Sequence, residues 1–212
     1  MINILLVDDH AIVRDGLKRI ISETSGMKVV AEAENGQIAL EMVYEDTSIN
    51  FVILDISMPG KSGLDVLKEI KRHNDELSVL MLSMHAQDQY AIRTLKAGAS
   101  GYLTKESAST LLVEAIRKIY QGGRFISDEV AELLALSLNE KKVEFPHEQL
   151  SDREYQVMIL IASGKTIVEI SKELVLSDKT ISTYRTRILE KMSLKTNSEI
   201  THYAFSNKLV TK

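Results

Sequence analysis

Three carboxylates stand where short apolar runs end in the first part of the chain. Asp8 and Asp9 directly follow the run Ile2–Val7, and Asp55 follows the run 51–54. Acids that are gathered together repel one another and lose hydration, so a site that gathers them usually holds a divalent cation. Ligands that are all oxygens favour Mg²⁺. Each Asp alone could instead cap a helix, so the prediction of a Mg²⁺ site depends on all three meeting.

A hydroxyl and an ammonium group follow the next two apolar runs. Ser83 comes after the run 77–82, and Lys105 lies shortly after the run 101–103. Both groups can bind an anion, which would then face the metal ion. A single Ser or Lys in a loop carries no information, but the ordered set of acids, hydroxyl and ammonium favours a site for a metal and an anion.

Strand-like and helix-like patterns alternate five times in this part of the chain. Apolar runs rich in β-branched residues are typical of buried strands. Between them, apolar residues recur at helical spacing, as in Leu64, Leu67 and Ile70. The alternation predicts an α/β fold with a doubly wound parallel sheet, in which ligands bind at the carboxyl ends of the strands. The five predicted strands are Ile2–Val7, Met27–Ala33, 51–54, 77–82 and 101–103.

The segments that carry these residues resemble the receiver domains of two-component response regulators. The resemblance covers about residues 1–122 and implies a flavodoxin-like fold. The matching segments read LLVDDH (5–10), LDISMPGKSGLDVL (54–67), LMLSMHA (80–86) and GASGYLTKES (98–107).

This resemblance implies a role for each residue of the site. Asp55 would be the phosphoacceptor, and it would hold Mg²⁺ together with Asp8, Asp9 and the backbone carbonyl of Ser57. Ser83 and Lys105 would contact the phosphoryl oxygens, and Tyr102 would be an aromatic switch that becomes buried when Ser83 moves inward. The chain would accept a phosphoryl group without being a turnover enzyme.

The phosphoryl donor is expected on another protein. The five histidines of the chain, at positions 10, 73, 85, 147 and 202, lie in no recognisable donor motif, and His10 is interpreted as a helix-start residue. The predicted partner is therefore a sensor histidine kinase that carries a phosphohistidine.

The pattern changes beyond the glycine pair Gly122 and Gly123, which marks the end of the last receiver helix. A short helix is predicted from 127 to about 138. The segment LNEKKVEFPHEQ (138–149) is polar, lacks apolar periodicity and holds one of only two prolines, as is typical of a linker. We therefore predict a receiver domain at 1–122, a linker with a short helix at 123–149 and a second domain at 150–212.

Helix caps organise the second domain into a small all-α unit of four helices. A fourth helix start is expected near Ser177 and Asp178, and the gap 175–177 has the length of the turn in a helix-turn-helix. The other three starts have the capping-box spacing of a hydroxyl and a Glu three residues later: Ser151 and Glu154, Thr166 and Glu169, and Thr196 and Glu199.

Residues 150–200 resemble the LuxR-type DNA-binding domain, so the whole chain resembles the NarL/FixJ group of response regulators. The resemblance implies that the helix near 178–192 binds double-stranded promoter DNA. Ile167 and Val168 replace the commoner Asn-Lys, which removes an expected phosphate contact. The expected core residues are Ile170, Leu174, Ile181, Leu189 and Met192. The candidate DNA contacts are Lys179, Thr180, Ser182, Thr183, Tyr184, Arg185, Thr186, Arg187 and Lys191.

Charge is distributed unevenly between the two parts. Residues 1–150 carry 16 Lys and Arg against 23 Asp and Glu, whereas residues 151–212 carry 10 against 7. The net charges of −7 and +3 indicate that only the second part meets a polyanion. Chance variation in surface charge is the alternative.

Composition indicates where the protein works. The chain has no cysteine, which excludes disulfides and thiolate chemistry and fits a reducing compartment. Two acids interrupt the first apolar run after Val7, too early for a signal-peptide core or a membrane span. We expect a cytoplasmic protein with no membrane contact.

Two other classes of function stay open at this stage. An Asp-dependent Mg²⁺ phosphotransferase could present similar acids, although such enzymes usually carry a second acid where Ser57 stands. The second domain could also be a protein-interaction module. If the chain is a DNA-binding regulator, a homodimer promoted by phosphorylation would double its base contacts.

Overall fold

A computed structural model describes residues 1–84, 88–127, 130–131, 145–207 and 209–210. The chain divides into two compact units, Met1–Leu138 and Asn139–Lys212. Most of the helix predicted at 127 to about 138, and residues 138–144 of the predicted linker, lie outside the described residues. Within the described ranges, no helix is both long and apolar enough to cross a membrane.

The first unit is a five-stranded parallel sheet covered by helices, as the sequence predicts. The strand order is β2-β1-β3-β4-β5. Helix α1 packs beside α5, and α2 packs beside α3. The elements are β1 Ile2–Val7, α1 Ala11–Ser22, β2 Met27–Ala33, α2 Gly36–Glu45, β3 Phe51–Asp55, α3 Gly63–His73, β4 Ser78–Ser83, α4 Asp88–Lys96, β5 Gly101–Thr104 and α5 Lys105–Tyr120.

The central strands are buried on both faces, which explains their continuous apolar sequence. All five residues of β3 are buried, and so are the last five of β4. One core cluster joins inward residues of the sheet, such as Leu6 and Ile53, to Leu17 of α1 and Ile116 of α5. Since helices cover both faces, polar groups can gather only at the strand ends.

The register of the sheet aligns these strand ends. Val7 pairs with Leu54, Asp55 pairs with Leu82, and Ser83 pairs with Thr104. Asp8, Asp55, Ser83 and Lys105 therefore follow one another along the same edge. Parallel strands bring residues that are far apart in sequence to one site in this way.

A glycine lets α3 begin against the end of β3. Ser62 caps the helix by accepting a hydrogen bond from the Asp65 backbone N–H at 3.2 Å. A Cβ atom at Gly63 would lie only 1.9 Å from the carbonyl oxygen of Asp55. The backbone at the end of β3 and the first turn of α3 are therefore in direct contact. This contact fixes the backbone position from which the Asp55 side chain extends.

The segment after α5 returns to the sheet beyond the boundary predicted at residue 122. The Tyr102 backbone N–H donates to the Phe125 carbonyl at 2.9 Å, and the Phe125 N–H donates to the Ser100 carbonyl at 3.2 Å. The Phe125 side chain packs against the core cluster. Residues up to Phe125 thus contact β5 directly.

Within the described part of the second unit, a 3₁₀ helix at Pro146–Gln149 comes first and four α-helices follow. The helices are α6 Asp152–Ala162, α7 Ile167–Leu174, α8 Asp178–Lys191 and α9 Asn197–Ser206. Complete capping boxes open α6 at Ser151 and α7 at Thr166. At α9, Thr196 accepts from the Glu199 N–H, but the Glu199 carboxylate accepts from the Lys195 N–H.

The turn between α7 and α8 has the predicted position. Val175 ends α7 with a left-handed backbone, φ 51°, and the Ser177 hydroxyl caps α8 by accepting from the Thr180 N–H at 3.1 Å. Of the predicted core residues, Ile170, Leu174, Ile181 and Met192 are buried. The prediction was wrong for Leu189, which is half-buried, because α8 turns Ile188 inward instead.

Candidate functional site

The sheet edge brings the three predicted acids together. Asp8 and Asp55 are fully buried, whereas Asp9 is about a quarter exposed. Asp8, Asp9, His10 and Asp55 each place one possible ligand atom within 4.8 Å of the others. Three carboxylates in so small a volume need a counter-charge.

Lys105 supplies one positive charge to this cluster. Its Nζ lies 2.6 Å from Asp8 Oδ2 and 2.8 Å from Asp55 Oδ2. The lysine side chain is 8% exposed, so little solvent screens the two contacts. Lys105 thus contacts Asp55, the predicted phosphoacceptor, and it also contacts Asp8.

Burial and charge shift the titration of this pair. Burial raises the pKa of the Asp55 carboxyl to about 6; the neighbouring Lys105 opposes this rise, and the negative charge of Asp8 adds to it. Burial alone would lower the pKa of Lys105, but the contacts with Asp55 and Asp8 outweigh it and raise that pKa. The ammonium therefore stays charged, whereas Asp55 ionises close to neutral pH.

The cluster fits a divalent cation. When all three acids are ionised, their three negative charges face the single positive charge of Lys105. The cluster then has a net charge of −2, which a divalent cation would neutralise. Asp9 Oδ1 is buried and accepts no hydrogen bond of good geometry from the described residues, although His10 Nδ1 lies 2.9 Å from it. A buried carboxylate oxygen without a hydrogen bond, in a cluster of this kind, fits the ligand chemistry of Mg²⁺.

His10 contacts the acids, which its interpretation as a helix-start residue did not anticipate. It is the N-cap residue of α1, but its side chain makes no capping hydrogen bond. Its Nδ1 lies 2.9 Å from Asp9 Oδ1 and 3.2 Å from Asp8 Oδ1. The His10 backbone N–H also donates to Asp8 Oδ1 at 2.9 Å.

The remaining predicted residues lie around the same edge. The Ser57 backbone N–H donates to Asp55 Oδ1 at 3.3 Å, which closes a tight turn after β3. Ser83 is buried at the end of β4. Tyr102 is only 6% exposed, so its ring is already inside the protein.

All the predicted DNA contacts lie on one helix of the second unit, and most of them are exposed. Lys179, Ser182, Thr183, Thr186, Arg187 and Lys191 are exposed on α8, while Thr180, Tyr184 and Arg185 are half-buried. The hydroxyls of Thr183 and Thr186 donate to backbone carbonyls one turn earlier. The Arg185 Nε donates to Asn197 Oδ1 at 2.6 Å.

Lys191 has a partner inside its own domain. Its Nζ lies 2.6 Å from Glu154 Oε2, and the Glu154 side chain is 3% exposed. Burial alone would raise the pKa of Glu154, but the hydrogen bonds from Lys191 and Ser151 outweigh it and lower that pKa. Lys191 thus ties the end of α8 to the start of α6.

A parallel sheet with clustered acids and a lysine at its edge, followed by a helix-turn-helix, is the architecture of a response regulator. The family model described as "Response regulator receiver domain" matches residues 4–117. The model described as "Bacterial regulatory proteins, luxR family" matches residues 148–204. The chain therefore belongs to the response regulators with a LuxR-type DNA-binding domain, the NarL/FixJ group.

Relatives of known name span almost the whole chain. Response regulator UvrY of Escherichia coli strain K12 is 40% identical over 210 residues, which are 99% of this chain and 96% of UvrY. Response regulator GacA of Pseudomonas aeruginosa strain PAO1 is 36% identical over 211 residues, which are 99% of this chain and 98% of GacA.

Solved structures of similar architecture include RcsB of Salmonella. A structure of the Salmonella typhimurium RcsB response regulator is 28% identical, with a TM-score of 0.59, and the match covers 97% of this chain and 98% of that one. RcsB bound to the promoter rprA in the presence of the phosphomimetic BeF₃⁻ is 26% identical, with a TM-score of 0.66, and the match covers 97% of this chain and all of that one.

Proposed function

We propose that this response regulator accepts a phosphoryl group on Asp55 and thereby controls how its second domain binds promoter DNA. The observation that carries the proposal is the contact of Lys105 with both Asp8 and Asp55 at the strand ends. This contact places the buried nucleophile, Asp55, beside the fixed positive charge of Lys105. Phosphoryl transfer requires such positioning and charge from a protein.

In this proposal, Asp8, Asp9, Asp55 and the Ser57 carbonyl hold Mg²⁺. When bound, the ion supplies positive charge that the three acids lack. Asp8 and Asp55 are buried, so little water screens the charges of the site and they interact strongly. His10, beside Asp8 and Asp9, lies at the rim of the same site.

The transfer step requires little of the side chains beyond position and charge. A carboxylate oxygen of Asp55 attacks phosphorus, and the bond from phosphorus to the donor nitrogen breaks in line. The donor nitrogen keeps the electron pair of that bond. Lys105 and the Ser83 hydroxyl contact the phosphoryl oxygens, and no general base is needed because Asp55 reacts in its ionised form.

The donor in this proposal is a phosphohistidine on a sensor histidine kinase. Enzymes of the rival class, which turn over a small phosphorylated substrate, usually carry a second acid in the place that Ser57 occupies here. We therefore assign acceptance of one phosphoryl group per chain and no turnover activity.

Signal output would use Ser83 and Tyr102. Because the Tyr102 ring is buried before any phosphorylation, the switch in this proposal stabilises the buried ring instead of moving it inward. Phosphorylation then shifts a population toward a state that is already present. Such a shift is limited by how differently the phosphoryl group interacts with the two states.

DNA binding would use the exposed face of α8. Lys179 and Arg187 would contact phosphates, while Ser182, Thr183 and Thr186 would face base edges. Because hydroxyl side chains can contact several bases, the operator sequence stays open. We also propose a phosphorylation-promoted homodimer, since RcsB has been seen as dimers bound to DNA and, separately, bound to promoter rprA in the presence of BeF₃⁻.

Labelling of the full chain tests the assignment of Asp55. After incubation with acetyl phosphate and Mg²⁺, intact mass spectrometry should show one phosphoryl adduct per chain. Asp55→Asn should abolish it, whereas Asp65→Asn, which changes an acid of α3 outside the cluster, should leave the yield unchanged. Undiminished labelling of Asp55→Asn would overturn the assignment.

A further inference from the structure

We propose that Arg14 is a positioning residue, which holds the loop of Asp8 and Asp9 in the arrangement that binds Mg²⁺. This proposal rests on the proposed function, because it concerns the same metal site. Arg14 lies on the first turns of α1, outside the acidic cluster itself. Its position in the sequence resembles that of any charged residue on a solvated helix face.

Arg14 binds the loop at two points. Its Nη1 donates to the carbonyl oxygen of Asp8 at 2.6 Å, and its own backbone N–H donates to the carbonyl oxygen of His10 at 3.1 Å. Asp9 lies between these two carbonyls. The second of these bonds is the first backbone hydrogen bond of α1, which any residue at this position would make, so the Arg14 side chain itself fixes the loop at the Asp8 carbonyl.

Strand β2 completes the hold on Asp8. The Asp8 backbone N–H donates to the Ala33 carbonyl at 3.2 Å, so both sides of this residue's backbone are bound. The neighbouring residue Glu32 places its Oε2 3.7 Å from Arg14 Nε. Of these two consecutive residues of β2, Ala33 accepts directly from Asp8, whereas the Glu32 carboxylate only lies near the guanidinium, and Arg14 Nε has no hydrogen bond among the described residues.

This arrangement opposes the repulsion within the site. Asp8, Asp9 and Asp55 would move apart if the loop were free, since the single charge of Lys105, which contacts Asp8 and Asp55, offsets only part of their repulsion. A loop that is already fixed loses less freedom when the ion binds. Mutation of a group that holds a metal ligand in place commonly weakens metal binding by about 10- to 100-fold.

The chain offers a matched control in Lys18. Lys18 forms an ion pair with the same Glu32, but it lies on the exposed side of α1. No contact joins Lys18 to the Asp8–His10 loop among the described residues. Lys18→Ala therefore removes one of the two positive charges beside Glu32 and leaves the bond from Arg14 to the Asp8 carbonyl in place.

The test measures Mg²⁺ affinity of the full chain by isothermal titration calorimetry, with thermal unfolding in parallel. Arg14→Ala should weaken binding about 10-fold, and Arg14→Lys should recover part of the loss because an ammonium can still donate to the Asp8 carbonyl. Lys18→Ala should stay within about twofold of wild type, as expected of a residue outside the ligand loop. Excess Mg²⁺ should restore acetyl phosphate labelling of Asp55 in Arg14→Ala.

The outcomes separate this proposal from the proposed function. Wild-type Mg²⁺ affinity in Arg14→Ala, or an equal loss in Lys18→Ala, would overturn the positioning role and leave the metal site intact. Should Arg14→Ala fail to fold, Arg14→Met decides instead, because it keeps most of the aliphatic chain but cannot donate to the Asp8 carbonyl. Unchanged Mg²⁺ affinity in that folded variant overturns the proposal. A wild-type chain that binds no Mg²⁺ would overturn the metal site and this proposal together.

Discussion

Lys105 Nζ lies 2.8 Å from Asp55 Oδ2, although the two residues are fifty positions apart in sequence. The pair forms where the ends of β3 and β5 reach the same edge of the sheet, with β4 between them. Because the ammonium is in place before any ligand binds, it can stabilise new negative charge on Asp55 without reorganisation.

Asp55→Asn should stabilise the metal-free protein at pH 7.5 by roughly 1–3 kcal/mol. The folded pKa of Asp55, about 6, is above the ordinary value of 3.8, so the folded state binds the proton more tightly than the unfolded state. Stability is therefore lost as pH rises from about 4 to about 6, and the loss is complete above that range. Urea denaturation at pH 5 and pH 7.5 should show a smaller gain at pH 5. An equal gain at both pH values would contradict this account.

Mg²⁺ affinity should fall as the pH drops below about 6. The proton and the metal compete for Asp55, so the affinity should decrease by up to about tenfold per pH unit in that range. Calorimetric titrations at pH 5.5 and pH 7.5 would measure the effect. Asp9→Asn serves as the control, since it should bind weakly at both values. Constant wild-type affinity would contradict the combination of a raised pKa at Asp55 and a ligand role for its carboxylate.

Gly63→Ala should lower the free energy of unfolding by roughly 1–3 kcal/mol or more, because overpacking displaces backbone atoms. The added Cβ would meet the Asp55 carbonyl, so the shift should also weaken Mg²⁺ binding. Gly16→Ala is the matched control within α1, where a Cβ would meet nothing within 4 Å. It should stabilise the protein by up to about 1 kcal/mol. If Gly63→Ala unfolds at the same temperature as wild type, the close approach at Gly63 is not a constraint.

Lys179→Ala and Arg187→Ala should weaken DNA binding across sequences. Each substitution removes a positive charge that would pair with a phosphate, so each should reduce the slope of log affinity against log salt concentration by about one unit. Lys172→Ala, an exposed lysine on α7, serves as the charge-matched control and should change the slope less. Fluorescence anisotropy at several salt concentrations would show this. Wild-type slopes in both α8 variants would exclude that face.

Beryllofluoride with Mg²⁺ should promote a homodimer with higher operator affinity. Two copies roughly double the base contacts that one small domain offers, and their half-sites should be about one helical turn apart. Light scattering gives the mass, and anisotropy at fixed salt gives the affinity. The same treatment of Asp55→Asn should change neither quantity. Identical mass and affinity with and without beryllofluoride in the wild type would contradict the coupling.

The sequence was sufficient for elements whose signals are local. Apolar runs located all five strands to within one residue at each end, because strands buried on both faces must be apolar throughout. Capping residues located the helix starts of the second domain, because Ser151, Thr166, Ser177 and Thr196 bind backbone groups only three residues away. The meeting of Asp8, Asp55 and Lys105 followed from the parallel order of the strands.

Contacts that depend on the reach of a long side chain could not be predicted in this way. Arg14 reaches the Asp8 carbonyl, and Lys191 reaches Glu154 from the end of α8. Neither contact has a spacing that distinguishes it from a solvated helix face. The choice of Ile188 over Leu189 for the core depends on how α8 is rotated, and two adjacent apolar residues do not specify that rotation.

Phe125 has a consequence for any attempt to isolate the receiver. Through its bonds to Tyr102 and Ser100, it occupies backbone groups along the outer side of β5 that would otherwise form an open edge of the sheet. Open edges of this kind recruit strands from other molecules and lead to aggregation. A fragment that ends at residue 122 would lose this protection, whereas one that continues past Phe125 would keep it. Solubility of the isolated receiver should therefore depend on a few residues beyond its last long helix.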